Sequence, residues 1–331
     1  MTVMDAFKAY RVFKDGERIA GRVVEASLAE LSPGEVVFRN AYASVNYKDA
    51  LAATGSGGRI IRTYPRIGGI DAAGTVVSSS DSRFKAGDEI ICTSYDFGVE
   101  HDGGYSQVCR VPADWVVPLP AGLNLLEAEM LGVAGYTAGL AVELLELNGM
   151  APNNGSVLVN GATGGVATLA IDMLSKRGYR VVAVTGKDAE HDFLRRLGAS
   201  EVLARQSLEM GARPLEKALW AAAFDSVGGE QLAWLTRTTQ TDGVIASIGN
   251  AGGVELRTTV LPFILRGVRL IGVSSVDTPM PLRRKIWARL GADLKPRHLE
   301  DIAHVITLDV LPGYFERMLK GEIKGRAVVK L

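Results

Sequence analysis

Hydrophobic positions along this chain follow two periods, and the change between them falls around residues 125–128. Before that point the runs are short and strand-like, at 6–12, at 21–24 and, alternating with period two, at 34–43. Such spacing gives a strand one apolar face. The stretch 44–51 begins a short helix, 65–77 is a loop entering a strand, and 84–91 is a glycine turn followed by another strand. Strands at 103–111 and 116–119 complete a barrel-like set. Beyond the change the period is 3.6 over 131–147, and strands and helices then alternate through 156–159, 166–176, 180–184, 190–197, 201–204, 224–227, 243–249 and 268–273. That alternation predicts a doubly wound parallel sheet. A last helix at 311–320 and a strand at 326–331 are expected to rejoin the first half. The fold expected is therefore α/β, with a β-rich domain over 1–127 and 300–331 and a doubly wound, Rossmann-type domain over 128–299.

The second half is organised around residues 156–187, SVLVNGATGGVATLAIDMLSKRGYRVVAVTGK. An apolar, β-branched run reads as a strand buried on both faces. Glycines 161, 164 and 165 then allow a tight turn and a close approach of backbone to ligand, with Ala167 where the last glycine of the usual fingerprint stands. A helix follows, and its amino end, with unpaired N–H groups and partial positive charge, suits a pyrophosphate.

The end of the next strand selects the cofactor. An NAD site places Asp or Glu there to bond the ribose 2′-hydroxyl, whereas this chain has Thr185-Gly186-Lys187. A hydroxyl, a backbone N–H and an ammonium are all donors and suit a 2′-phosphate. Arg205, after the following strand, can supply a second cation, and Asp188 lies past the strand end, where it can face solvent. NADPH is the expected cofactor.

Composition narrows the partners. With Lys+Arg 37 against Asp+Glu 37 the formal net charge is zero, giving no electrostatic case for nucleic acid or an anionic membrane. The apolar helix at 131–147 carries Glu143 and Glu146 and is interrupted by glycines, so it does not read as membrane-spanning. The first residues are too polar for a secretory signal, and a cytoplasmic location is expected. Cys92 and Cys109 cannot form a metal cluster alone and read as small buried apolar residues. His101 beside Asp102 reads as a loop histidine rather than an acid–base pair.

Several segments resemble the medium-chain dehydrogenase/reductase superfamily over essentially the whole chain: Gly69-Ile-Asp-Ala-Ala-Gly74, Phe84-Lys-Ala-Gly-Asp88, Gly103-Gly104-Tyr-Ser and Gly325-Arg326. Asn46-Tyr-Lys-Asp-Ala-Leu51, Ile60-Ile-Arg62, Arg213-Pro-Leu-Glu216, Pro262-Phe-Ile-Leu-Arg266, Ser275-Val276 and Thr278-Pro279 are similar to its zinc-free, quinone-oxidoreductase-like branch, and within that to acrylyl-CoA reductases. The resemblance implies a GroES-like catalytic domain and a homodimer joined through an edge strand near 269–274. It also implies a small-molecule substrate, with no metal, nucleic acid or membrane partner. The positions that look equivalent to catalytic-zinc ligands are Asn46 and Ile70, neither of which supplies the thiolate or imidazole that zinc wants.

By the same resemblance Thr163, Gly164, Gly165 and Val166 contact the cofactor phosphates, and Thr185, Gly186 and Lys187 the ribose, with Arg205 at the 2′-phosphate. Asn250, Ile264 and Ser275 lie along the nicotinamide half. Tyr47 lies against the nicotinamide end or packs as an ordinary aromatic, Asn46 bonds substrate or caps the helix, and Asp49 serves that helix. Arg326 resembles an active-site arginine able to meet a CoA phosphate or a developing oxyanion, and Arg59, Arg62 and Arg66 are further cations for CoA. Without a Lewis acid an alkene conjugated to a carbonyl is a better hydride acceptor than a simple carbonyl. The activity implied is NADPH-dependent reduction of a short enoyl-CoA, acryloyl-CoA to propionyl-CoA. NADPH:quinone oxidoreduction and a non-catalytic NADPH-binding protein are the alternatives.

Overall fold

The computed structural model describes residues 6–58 and 60–331, so Arg59 lies outside the described residues. The chain divides into two units. The first takes the residues up to Val133 with Val276–Gly291 and Leu299–Leu331, and the second takes Ala134–Ser275 with Ala292–His298.

The first unit is β-rich. Phe7–Asp15 and Arg18–Ala26 form an antiparallel hairpin, and Arg66–Ile67 adds a short third strand. A larger sheet runs in the order Ala303–Ile306, Arg326–Lys330, Val36–Ser44, Asp71–Ser79, Glu89–Thr93, Val116–Pro118, with Val108–Val111 also paired to Val36–Ser44. The alternating side chains of Val36, Phe38, Val76, Ile90, Cys92, Cys109 and Val116 meet in one core, where both cysteines are buried and free. The carboxy-terminal strand Arg326–Lys330 pairs antiparallel with the central strand, Val328 opposite Ser44, so the end of the chain belongs to this unit. The strand Ala303–Ile306, parallel to it, has no counterpart among the expected elements.

Residues 276–291 also belong to the first unit, although the expected boundary placed them in the second. The cause is Arg283 on the helix Met280–Leu290. Fully buried, it donates to the Thr93 carbonyl and hydroxyl at 2.9 and 3.0 Å and to the Val276 carbonyl at 2.9 Å. Its guanidinium lies 4.3 Å over the ring of Tyr95. The helix expected at 131–147 is the second part of the helical stretch Leu125–Leu147, which non-helical backbone at Gly132 (φ 49°, ψ −154°) breaks in two. By length and composition this helix could cross a membrane, but 83% of its most apolar stretch is buried inside the protein.

The second unit is a six-stranded parallel sheet in the order Ala199–Ala204, Arg180–Thr185, Ser156–Val159, Trp220–Asp225, Thr239–Ser247, Arg269–Gly272. In chain order this is 3-2-1-4-5-6, the doubly wound arrangement whose ligand crevice lies at the carboxyl ends of strands one and four. The helix Gly165–Lys176 buries Leu169, Ala170, Met173 and Leu174. Its fully buried Asp172 ties down the end of the 292–298 segment by accepting from the N–H groups of Arg297 and His298 at 2.9 and 2.8 Å.

Candidate active site

In the second unit the predicted cofactor residues other than Ile264 lie at or just after the carboxyl ends of strands. Gly161 (φ 58°) turns the chain after Ser156–Val159, and the Gly164 N–H closes the turn onto the Gly161 carbonyl at 2.8 Å. A Cβ at Gly161 would be strained in this left-handed conformation. Gly164 is the N-cap of Gly165–Lys176 and has no side chain to satisfy the first-turn N–H groups. Those donors remain for an anion.

One strand over, Thr185 is 3% exposed and its hydroxyl oxygen accepts the Lys187 N–H at 3.1 Å. Gly186 has no side chain, and a Cβ there would stand 2.9 Å from Nη2 of Arg205. The guanidinium therefore lies across the backbone of Gly186. Among the described residues it has no ion-pair partner, and it is exposed. Asp188 does not compete for it, since its carboxylate accepts from Gln206 at 3.1 and 3.2 Å. This corner presents cationic and N–H donors and suits a phosphate dianion better than a hydroxyl.

Asn250 and Ser275 follow Thr239–Ser247 and Arg269–Gly272, so both come to the same carboxyl-end edge. Ile264 stands apart. It lies on the helix Leu261–Arg266, whose Arg266 bonds the carbonyls of Arg237 and Thr239 at the opposite, amino end of a strand. It is 68% exposed. The signal for it was only its place in the chain order, and the connection between strands runs away from the crevice before it returns. Asp225, by contrast, was not foreseen. It is fully buried and raised in pKa by burial, and it accepts from Asn160, Val227 and Gly228, fixing the loop after its strand.

In the first unit Tyr47 opens the helix Tyr47–Thr54 and is 48% exposed, an aromatic available to a ligand. Its neighbours are not. Asn46 is the N-cap, and its N–H donates to Asp49 Oδ2 at 2.8 Å. Its side-chain amide donates to Asp71 Oδ2 at 3.0 Å and accepts from Arg326 Nη1 at 3.0 Å. Both ends of that amide are thus held within the protein.

Arg326 is 3% exposed, and it also donates to Ser44 Oγ at 2.5 Å and the Met130 carbonyl at 3.3 Å. A contact with a CoA phosphate is thereby corrected: the guanidinium is inside the protein with its N–H groups taken. Arg66 is likewise buried, paired with Asp102 at 3.6 Å. Of the proposed CoA cations, only Arg62 among the described residues is exposed. His101 is a loop residue, as expected, joined to Phe97 by an isolated bridge, and it is buried. Its ring nitrogens meet the Pro33 and Asp102 carbonyls, at 2.8 and 3.0 Å, and not a carboxylate.

Three further residues complete this buried cluster and escaped notice as a group. Asp71 accepts from Ser44 N at 2.8 Å, from the Ser44 hydroxyl and from Val133 N at 3.0 Å. Tyr105 donates to Asp49 Oδ2 at 3.0 Å. Glu129 is fully buried beside Asp71. Burial and the charge of Asp71 push Asp49 up to about 7 and Glu129 well above the usual carboxylate range. The only sequence cue was Asp71 inside the Gly69–Gly74 motif. At the zinc-like positions an amide held at both ends and a buried isoleucine do not fit a metal, and among the described residues no group of three or more His, Cys, Asp or Glu could hold one.

Residues 32–121 match the alcohol dehydrogenase GroES-like domain and residues 165–290 the zinc-binding dehydrogenase domain. The fold and the strand-end site define a two-domain nicotinamide-nucleotide oxidoreductase, and the chain belongs to the medium-chain dehydrogenase/reductase family. Relatives place it in the zinc-free, quinone-oxidoreductase-like branch. It is 49% identical to the putative quinone oxidoreductase YhfP of Bacillus subtilis, over 98% of this chain and 99% of that one. The solved structure of YhfP with NAD bound matches with a TM-score of 0.96 at 48% identity, covering 99% and 100% of the two chains. Acrylyl-CoA reductase AcuI of Ruegeria pomeroyi is 45% identical over 98% of both chains. The structure of Escherichia coli K-12 YhdH with bound NADPH matches with a TM-score of 0.94 at 44% identity, covering 97% and 99%.

Proposed function

We propose that this enzyme reduces the carbon–carbon double bond of a short enoyl-CoA with NADPH, acryloyl-CoA to propionyl-CoA being the reaction. The observation that carries the cofactor is the guanidinium of Arg205 laid across Gly186 beside Lys187, where an NAD enzyme would carry a carboxylate. The likeness to proteins named acrylyl-CoA reductase supports the substrate. Thr163, Gly164, Gly165 and Val166 hold the pyrophosphate, Gly186, Lys187 and Arg205 the 2′-phosphate, and Asn250 and Ser275 the nicotinamide half.

When bound, NADPH would supply a hydride to the β-carbon, the charge would spread into an enolate, and the α-carbon would then take a proton from solvent or an acid. Tyr47 presents its exposed ring and phenol to align the reacting groups and to donate a hydrogen bond. Asn46 and Arg326 hold the start of the Tyr47 helix from inside rather than touching substrate. The carbonyl is left intact, because neither Asn46 nor Ile70 can hold a metal that would stabilise an alkoxide.

A second reading, NADPH:quinone oxidoreduction, rests on the 49% identity to YhfP. NADPH oxidation compared across acryloyl-CoA, crotonyl-CoA and a benzoquinone, with mass spectrometry of the product, separates the two. Acryloyl-CoA is expected to be the best acceptor and propionyl-CoA the product. An allylic alcohol or aldehyde, or a quinone reduced far more efficiently, would refute the enoyl-CoA assignment. Tyr47→Ala is expected to lower kcat at nearly unchanged NADPH affinity.

A homodimer belongs to the same proposal. Arg269–Gly272 is an edge strand, and Val254, Val260, Ile264 and Leu265 nearby in the chain are 82%, 65%, 68% and 62% exposed. An open edge with apolar side chains close by suits a second copy.

A further inference from the structure

One buried cluster of the first unit brings together three carboxyls, Asp49, Asp71 and Glu129, and the guanidinium of Arg326; Arg283 and the Arg66–Asp102 pair, also buried in this unit, bond other partners. With every group ionised the cluster would carry two uncompensated negative charges, three against one, in a place where water cannot solvate them. The hydrogen bonds are not shared evenly. Asp71 accepts from Ser44 N, Ser44 Oγ, Asn46 Nδ2 and Val133 N. Asp49 accepts from Asn46 N, Ile70 N and Tyr105 Oη. Glu129 is fully buried, and neither of its oxygens meets an N–H or O–H donor within hydrogen-bond reach.

Arg326 does not fill that gap. Its N–H groups go to Met130 O, Val45 O, Asn46 Oδ1 and Ser44 Oγ. The groups that face Glu129 are the Asp71 carboxylate on one strand, the Ser44 N–H and Arg326 on two others, and the buried thiols of Cys92 and Cys109. A buried carboxylate with no donor of its own, beside a carboxylate that has four, is unfavourable. A carboxylic acid at the same place has one O–H to give, and Asp71 is the acceptor beside it.

We propose that Glu129 is held as a neutral carboxylic acid that donates its proton to the Asp71 carboxylate, and that this acid–carboxylate pair is the positioning element for Asn46 and the helix turn that carries Tyr47. The pair fixes Asp71, Asp71 Oδ2 fixes the Asn46 amide at 3.0 Å, and Asn46 starts the helix at Tyr47. The same junction is closed to any larger residue at Gly132, where a Cβ would come within 2.3 Å of Ser44 Oγ, 2.5 Å of Arg326 Nη2 and 2.7 Å of Asp71 Oδ2. Loss of the proton from Glu129 would set two carboxylates against each other at the root of that turn. Glu129 is thus a positioning residue, acting through Asp71 and Asn46.

Infrared difference spectroscopy on the full-length protein tests the proton directly and does not depend on the reductase assignment. At about pH 9, where Asp49 (raised to about 7) is ionised, a carboxylic-acid C=O band is expected, absent in Glu129→Gln and retained in Asp49→Asn. A spectrum that Glu129→Gln leaves unaltered in this region would overturn the proposal. The positioning role is read from kinetics and does rest on that assignment. Glu129→Gln keeps a donor toward Asp71, whereas Glu129→Met is of similar length and has none. The Met variant is expected to have a kcat at least tenfold below that of the Gln variant at a similar KM for NADPH, since small misplacements of aligning groups are costly in rate. Equal kcat values in the two variants would remove the positioning role. If the Met variant does not fold, the infrared band and the pH profile of the Gln variant against the parent decide, an alkaline shift of the parent's upper limb in the Gln variant being expected and coincident profiles counting against it.

Discussion

The two units hold their candidate site residues in opposite ways. The second unit uses backbone and exposed cations: a glycine turn, an uncapped helix start, and Arg205 laid over Gly186. The first unit uses buried charge: Asp49, Asp71, Glu129 and Arg326 packed around Ser44 and Asn46, with only Tyr47 exposed. An open site of donors can be altered at little cost to folding, because its groups remain solvated. A closed network must satisfy every charge internally, so each member supports both the fold and the placement of the one residue that faces outward.

The difference is broken most severely at Arg326. Arg326→Ala removes the one guanidinium that, among the described residues, sits with the three buried carboxyls, and breaking such a cluster costs about 3–5 kcal/mol. Denaturant unfolding should show a loss of that size, and Arg205→Ala, at an exposed residue, should unfold with the parent. Comparable losses in the two variants would erase the contrast.

A second, smaller effect concerns pH. The folded pKa of Asp49 is raised from 3.8 to about 7 by burial and by the charge of Asp71. Folding therefore takes up a proton at this site between those values. Its contribution to stability is full below about 4 and is lost as pH rises toward 7, a change of about 4 kcal/mol. Asp49→Asn should flatten the stability profile over that window. A profile that keeps the parent's slope would show that Asp49 is ionised throughout.

In the open site, Lys187→Ala combined with Arg205→Ala should erase most of the preference for NADPH over NADH, each phosphate contact being worth about 1–3 kcal/mol. Comparison of kcat/KM for the two cofactors checks it, and equal values in the parent would refute the assignment. The least costly change is at the sheet edge. Light scattering at micromolar concentration should give a dimer, and Ile264→Glu should shift it toward monomer while leaving the thermal midpoint of the fold nearly in place.

The legibility of the chain follows the same division. The glycine turn, the Thr185-Gly186-Lys187 strand end and the alternation of strands and helices are local patterns, because backbone geometry and the helix terminus need only neighbours in sequence. The buried cluster is not local. Ser44, Asp71, Glu129 and Arg326 come from four separated segments, and none is unusual where it stands. Ile264 was misjudged because chain order was taken for position at the crevice, and Arg66 and Arg326 because a cation in the sequence does not show whether it is buried.

What the sequence determined by itself was the period of each half, the dinucleotide turn and the donor-rich corner that suits a 2′-phosphate. All of these depend on contacts within about thirty residues. Only the tertiary structure decided that residues 276–291 join the first unit, that Arg326 is enclosed, and that Asn46 is held at both ends. The physical reason is burial. Whether a charged side chain serves a ligand or the interior depends on which partners desolvate it, and those partners are brought together by the packing of segments far apart in the chain.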